Sequence, residues 1–373
     1  MLVIEQLSYI TVPSVASHKA ADSRVCLRSS PMKLAISAAI VAALSTLIAA
    51  SPARSKRQFQ ADPNLDVSSS LQNILSNTHG SDLYTYPTDL TRGIIPVGLC
   101  NADTLSQTID TNQKPIHSHN DYWRDVPFYS ALSVGCISVE ADVWLYNDTL
   151  FVGHEQSALT TVRTFDSLYV QPILSVLQRE NPSSQFVTSK TKNGVFDTSS
   201  DQTLYLFVDV KTDGESTFPA VVKALEPLRS GGWLTTYNGT DITPGTVTVI
   251  GTGNTPLDQV QGVSPRDYFF DANLALLSTT QLNITSDVSP IASTQFSRYI
   301  GTINGTEFNS TQLQILESQL SVAKSRGIGG RYWDTPAWPD STRNAVWTEL
   351  TRQGVALLNA DDLLGAAGFT VQW

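Results

Sequence analysis

Charge is sparse in this 373-residue chain, and positive charge is sparsest. Asp, Glu, Lys and Arg together make up 16%, with 24 Lys plus Arg against 34 Asp plus Glu and a formal net charge of −10. Without a basic cluster, an acidic chain has no electrostatic footprint for a nucleic-acid backbone, so nucleic acid is excluded as a partner. Neither a G-x-G-x-x-G turn after an apolar strand nor a G-x-x-x-x-G-K loop occurs, which removes the usual nucleotide cradles. Gly (22) and Pro (18) are at ordinary usage, so collagen-like and low-complexity classes are also out. Methionine is confined to Met1 and Met32, and cysteine to Cys26, Cys100 and Cys136. What the chain does have is 41% hydrophobic residues, enough for a large core.

The N-terminal part reads as an address. Residues 1–31 form a polar leader without pattern, and translation is expected to start at Met32. Residues 32–57 have the layout of a secretory signal peptide: Lys33, an apolar run from Leu34 to Ala50, small residues at Ala50, Ser51 and Ala53, then a dibasic processing site at Lys56-Arg57. The run is shorter than the roughly 20 residues of a stable membrane span. Secretion is therefore the expectation, with an uncleaved signal anchor as the alternative. Five N-x-S/T sequons follow, at Asn147, Asn238, Asn283, Asn304 and Asn309, and they suit a glycosylated secreted protein. In an oxidising compartment Cys100 and Cys136 form an even pair, so one disulfide is expected between them.

Residues 58–112 are polar and read as an arm, in which His79 has no assigned role. From 113 to 373 short apolar strands alternate with helical stretches. Strands are predicted at 114–119, 136–145, 150–153, 204–210, 246–250, 268–270, 328–333 and 355–358, with helices at 126–134, 166–179, 221–228, 313–325 and 343–352. The run LYLFVDV at 204–210 is nearly all apolar, as in a buried parallel strand. Repeated β-then-α units predict an α/β fold with a closed (β/α)8 barrel of the TIM type, an open doubly wound sheet being the alternative.

Chemistry is concentrated in the first third of that barrel. His117, His119 and His154 bracket Asn120, Asp121, Glu140 and Asp142. Glu140 and Asp142 are two apart on one strand, so both carboxylates face the same side. Two such carboxylates repel unless a cation lies between them, and oxygen donors suit one divalent cation, Mg²⁺ or Ca²⁺. Asp209, near the end of the next strand, is the third acidic group, and Lys211 two residues later points the same way. Imidazoles that titrate near neutrality beside a hard cation and a lysine suit an anionic substrate that needs proton transfer at two oxygens. The sum is a phosphodiesterase site. Arg124 and Arg331 are candidates for the phosphate-binding arginine.

The segments His117–Tyr122 (HSHNDY), Val139–Trp144 (VEADVW) and Gly153-His154 resemble the phosphatidylinositol phospholipase C and glycerophosphodiester phosphodiesterase superfamily. Within it the resemblance is nearest to the fungal altered inheritance of mitochondria protein-six family, over about residues 110–365. It implies a TIM-type barrel, a metal held by Glu140, Asp142 and Asp209, and His154 as the second catalytic histidine. The first is either His119, on the phospholipase C pattern that also makes Asn120 a metal ligand, or His117, on the glycerophosphodiesterase and venom phospholipase D patterns. The venom enzymes also carry a D-x-K like Asp209–Lys211. The chain departs from the glycerophosphodiesterase pattern in lacking H-R-G and P-E-N.

The expected function is a secreted, metal-dependent phosphoric diester hydrolase acting on a phospholipid or glycerophosphodiester. One histidine would be the base and one the acid, and Trp123, Trp333 and Trp338 on mouth loops are available for peripheral membrane contact. A non-catalytic lipid- or glycan-binding barrel is the alternative. A glycoside hydrolase using Glu140 and Asp142, about 7 Å apart along one strand, is a further one.

Overall fold

A computed structural model describes residues 113–369, apart from 188 and 198. The leader, the signal peptide with its dibasic site, the polar arm and Cys100 lie outside the described residues.

The strands, in chain order, are β1 (Lys114–Ser118), β2 (Cys136–Tyr146), β3 (Thr149–Val152), β4 (Leu204–Val210), β5 (Thr236–Tyr237), β6 (Ile242–Thr243), β7 (Val247–Gly253), β8 (Phe269–Phe270), β9 (Ala272–Asn273), β10 (Ile291–Gln295), β11 (Gly329–Trp333) and β12 (Leu357–Ala360). The main sheet runs β8-β7-β4-β2-β1-β12-β11-β10-β9. All of these pairings are parallel. The two ends of this order are halves of one segment. Phe269 and Phe270 pair with β7, Ala272 and Asn273 pair with β10, and Asp271 lies between them. The circuit thus closes through residues 269–273, and the expected eight-stranded (β/α)8 barrel is formed.

Helices on the outside seal the strands. The helix Gln171–Glu180 buries Ile173, Val176 and Leu177 on one face, and Ser310–Ser325 buries Leu316, Leu320 and Ala323. The second of these starts three residues before the periodicity suggests, because Asn309 and Gln312 form a reciprocal capping box. The predicted helix at 221–228 is two helices, Gly214–Ala224 and Glu226–Ser230, meeting at Leu225. Strand β10 escapes the apolar pattern: IASTQ carries two hydroxyl residues and an amide, and parallel register with β11 holds it in place (Ile291 opposite Gly329, Gln295 opposite Trp333).

β2 outruns the barrel. Its last residues turn at Asn147-Asp148, both with positive φ (48° and 60°), and pair antiparallel with β3, Val143 opposite Val152. That hairpin carries Gly153 and His154 back over the C-terminal mouth. Cys136 opens β2 as a fully buried thiol, and Cys100, its expected partner, lies outside the described residues. Burial pushes that thiol far above its ordinary range, so it is inert at neutral pH.

Candidate active site at the barrel mouth

Strand ends supply the site, as in other barrels of this architecture. Parallel register sets Asp142 directly beside Asp209. Glu140, one inward-facing step before Asp142, completes a trio in which one carboxylate oxygen from each residue lies within 4.8 Å of the others. Gly253, at the end of β7 with φ +64°, makes room for it: a β-carbon there would come within 2.1 Å of Asp209 Oδ1.

The trio is electrostatically unbalanced. Burial, then the charges of Glu140 and Asp209, pushes Asp142 up to about 7. Burial also raises Asp209, against the pull of Lys211. Burial alone would raise Glu140, but His117, Arg331 and His119 outweigh it and hold Glu140 well below the usual carboxylate range. Lys211 Nζ lies 2.9 Å from both Asp142 Oδ2 and Asp209 Oδ2. Those carboxylates outweigh its burial and raise its pKa, so it is an ammonium. A cluster of three converging carboxylates, with one held up to neutrality by burial and by its neighbours' charge, fits a metal ion.

Two histidines flank the trio. His119, just past β1, reaches the cavity with its side chain 21% exposed, and its Nε2 lies 3.9 Å from Glu140 Oε2. Its Nδ1 lies 2.8 Å from Asp361 Oδ1, just past β12. Burial pulls His119 down, but the Asp361 hydrogen bond and the Glu140 charge outweigh it and leave its pKa raised. His154 comes from the hairpin, half exposed, with Nδ1 3.4 Å from Asp142 Oδ2. The Tyr122 hydroxyl lies between them, 2.6 Å from Asp142 Oδ2 and 3.1 Å from His154 Nδ1. Trp123 meets the His154 ring edge-on, centroids 5.7 Å apart.

The cavity over these groups has a volume of about 560 Å³. His119, Asn120, Glu140, Asp142, His154, Asp209, Lys211 and Arg331 all line it. Asn120, with φ 47°, donates its backbone N–H to Glu140 Oε2 at 3.0 Å, and its Oδ1 accepts from Tyr122 at 2.6 Å. Arg331, 2% exposed, donates to Asn359 Oδ1 and Ser293 Oγ and stands 3.7 Å from Glu140 Oε1.

Two expected residues are placed elsewhere. His117 is fully buried beneath the cavity, its Nδ1 2.7 Å from Ser138 Oγ and its ring edge-on to Phe207. Burial and the Arg331 charge lower it to about 3, so it stays neutral. Arg124 does not face the cavity. Its guanidinium donates to the Asp361 carbonyl at 2.7 Å, with longer contacts to the carbonyls of His119, Asn120 and Asp121, and this ties the His119 loop to the end of β12. Asp361, Tyr122 and Asp271 were not foreseen. Asp361 and Asp271 each follow directly on an apolar strand, and an acid at that place in a barrel is the signal that marks them.

A family model described as an AIM6-like phosphodiesterase domain matches residues 105–271. The chain is 51% identical over 318 residues, 83% of it and 95% of the relative, to an altered inheritance of mitochondria protein 6 homolog of Arthroderma benhamiae. It is 36% identical to the altered inheritance of mitochondria protein 6 of Eremothecium gossypii, covering 73% and 76% of the two chains. To that of Saccharomyces cerevisiae (strain YJM789) it is 32% identical, covering 69% and 71%.

Proposed function

This chain belongs to the family of the altered inheritance of mitochondria protein 6, with its AIM6-like phosphodiesterase domain, and on that premise we propose that it is a secreted, divalent-metal-dependent phosphoric diester hydrolase. The observation that carries the reading is the carboxylate trio within 4.8 Å, flanked by two histidines that each have a carboxylate on Nδ1. A non-catalytic binder has no use for such a pair.

Glu140, Asp142 and Asp209 would hold Mg²⁺ or Ca²⁺, with Asn120 as a further oxygen donor. When bound there, the cation supplies Lewis-acid polarisation of a phosphoryl oxygen. The chain's own groups do the rest. Lys211 and Arg331 hold the non-bridging oxygens of the phosphate by charge. His119, with Asp361 on Nδ1, presents Nε2 as the general base. It takes the proton of the attacking hydroxyl, from water or from the substrate, as the new O–P bond forms. His154, backed by Asp142 and Tyr122, is the general acid and gives a proton to the leaving oxygen as the old P–O bond breaks. His117 neither reaches the cavity nor ionises, so His119 is the base of the two.

All five sequons are exposed, which supports passage through a glycosylating compartment. Exposed Trp123 and Trp338, with Trp333 lining the cavity, support a phospholipid-derived substrate presented at a membrane surface.

The test is hydrolysis of bis(p-nitrophenyl) phosphate and a phospholipid panel by wild type, Glu140→Ala and His154→Ala, with and without EDTA and added Mg²⁺. Activity that needs the metal and both side chains supports the reading. A folded, metal-binding protein that turns over none of these substrates overturns it. Secretion is tested by expression in a fungal host: product in the medium, shifted in mass by endoglycosidase, supports it, and retention as unglycosylated cell-bound protein refutes it.

A further inference from the structure

Opposite the histidines, the cavity has a second polar wall that the proposed reaction does not use. Asp271 lies at the break between β8 and β9, where the strand changes partners, and its carboxylate lines the cavity. The side chain is only 4% exposed. Its Oδ1 is buried without a hydrogen-bond partner. Arg331 Nη1 stands 3.9 Å from Oδ2, too far for a hydrogen bond but close enough to balance the charge. Beside it, Gln281 accepts the Asn273 backbone N–H on Oε1, and Asn273 accepts from Ala275 N and Thr294 on Oδ1. Both side chains line the same cavity with their amide nitrogens as the remaining donors.

A buried carboxylate oxygen without a donor is costly unless a ligand supplies one. Arg331 connects this wall to the proposed reaction centre, since the same guanidinium stands 3.7 Å from Glu140. A phosphate held at the trio therefore directs one of its two alcohol moieties toward Asp271. The Asp271 carboxylate can accept no hydrogen bond from a quaternary ammonium, which has no hydrogen to donate, whereas a neutral hydroxyl supplies one.

We propose that Asp271, with Asn273 and Gln281, is a specificity subsite that selects phosphodiesters whose alcohol moiety carries a free hydroxyl. The inference rests on the phosphodiesterase reading for its phosphate position, but it can fail separately.

The experiment is calorimetric titration of the Mg²⁺-loaded protein with glycerol 1-phosphate, propyl phosphate and phosphocholine, in wild type and Asp271→Asn. In parallel, bis(p-nitrophenyl) phosphate turnover is assayed. Glycerol 1-phosphate is expected to bind wild type at least about tenfold more tightly than either other ligand, the order of one hydrogen bond to a charged group. The preference is expected to collapse toward unity in Asp271→Asn. Equal affinities in wild type, or tighter phosphocholine binding, overturn the subsite whether or not the variant folds. So does a preference that survives intact in a folded Asp271→Asn. Loss of the diesterase reading shows instead as absent turnover of bis(p-nitrophenyl) phosphate, with the binding preference unaffected.

Discussion

Gly253 and Asp209 occupy space that only a residue without a β-carbon can share. The ideal Cβ of residue 253 would fall 2.1 Å from Asp209 Oδ1, and φ +64° adds a backbone conformation that side chains resist. Gly253→Ala is therefore expected to displace Asp209 from the trio. Affinity for Mg²⁺, read by titration calorimetry, should fall at least about tenfold, with a stability loss of about 1–3 kcal/mol from overpacking. An alanine variant with wild-type metal affinity would show that Asp209 is not a ligand.

His117 and His119 should separate cleanly. His119→Ala is expected to cut kcat by about 10²–10⁴-fold while leaving the melting temperature nearly unchanged, since the ring is partly exposed and general-base loss has that size. His117→Ala should cost about 2–4 kcal/mol of stability, because it opens a cavity beneath the site and strands Ser138. The reverse pattern, measured by melts and initial rates, would assign the base to His117.

Asp361→Asn should shift the pH profile in a defined direction. In wild type the Asp361 hydrogen bond helps to raise the His119 pKa, so the proposed base is expected to become neutral, and activity to appear, only above its ordinary value. Removing the carboxylate lowers that pKa. The acidic limb of kcat should move to lower pH while the plateau falls by about 10²-fold through lost orientation. The same pair stabilises the fold in a window. His119, raised, contributes below its unfolded value near 6.5 and loses this as pH rises through its folded value. Asp361, depressed by His119, contributes above about 3.8 and loses this as pH falls through its folded value. The stability difference between wild type and Asp361→Asn should therefore peak between about pH 4 and 7.

Metal removal should be felt in stability as well as rate. Stripped of a cation, the trio repels itself, and that repulsion adds to burial in raising Asp142 to about 7. Adding Mg²⁺ at pH 8 is expected to raise the melting temperature by several degrees, by mass action on the folded state. Glu140→Gln should abolish that gain. A melting temperature indifferent to Mg²⁺, Ca²⁺ and EDTA would rule out a cation at this position.

Tyr122→Phe removes the hydroxyl between Asp142 and His154. The expected result is a kcat lower by about tenfold with KM little changed, because His154 loses orientation and not substrate contact. A change confined to KM would place Tyr122 against substrate instead.

Most of the site could be read locally. HSHN, E-A-D, G-H and D-V-K each lie within a few residues, and strand alternation is enough to say which side chains share a face. Seven of the eight barrel strands had a readable apolar pattern. The eighth, β10, did not, because its Ser293, Thr294 and Gln295 are held by neighbours and not by their own hydrophobicity. Asp361 was invisible for a related reason: it meets His119 only because β12 lies beside β1, and no local spacing encodes a pairing across the ring. Asp271 was missed because the strand reading ended at Phe270, one residue before the break that aims it inward. Arg124 showed the opposite error. Its position in the motif suggested phosphate, whereas the carbonyls around it already take its guanidinium.

The closure of the barrel also sets a clock. His119 and its aspartate are 242 residues apart in the chain, on the first and last strands of the ring. A polypeptide emerging from a ribosome has its histidines, its E-x-D and its D-x-K long before Asp361 exists. Until β12 pairs with β1, His119 lacks the carboxylate on its Nδ1 and the mouth has a gap in its wall. A nascent or truncated chain would hold the acidic trio yet lack the His119–Asp361 pair on which the proposed reaction rests.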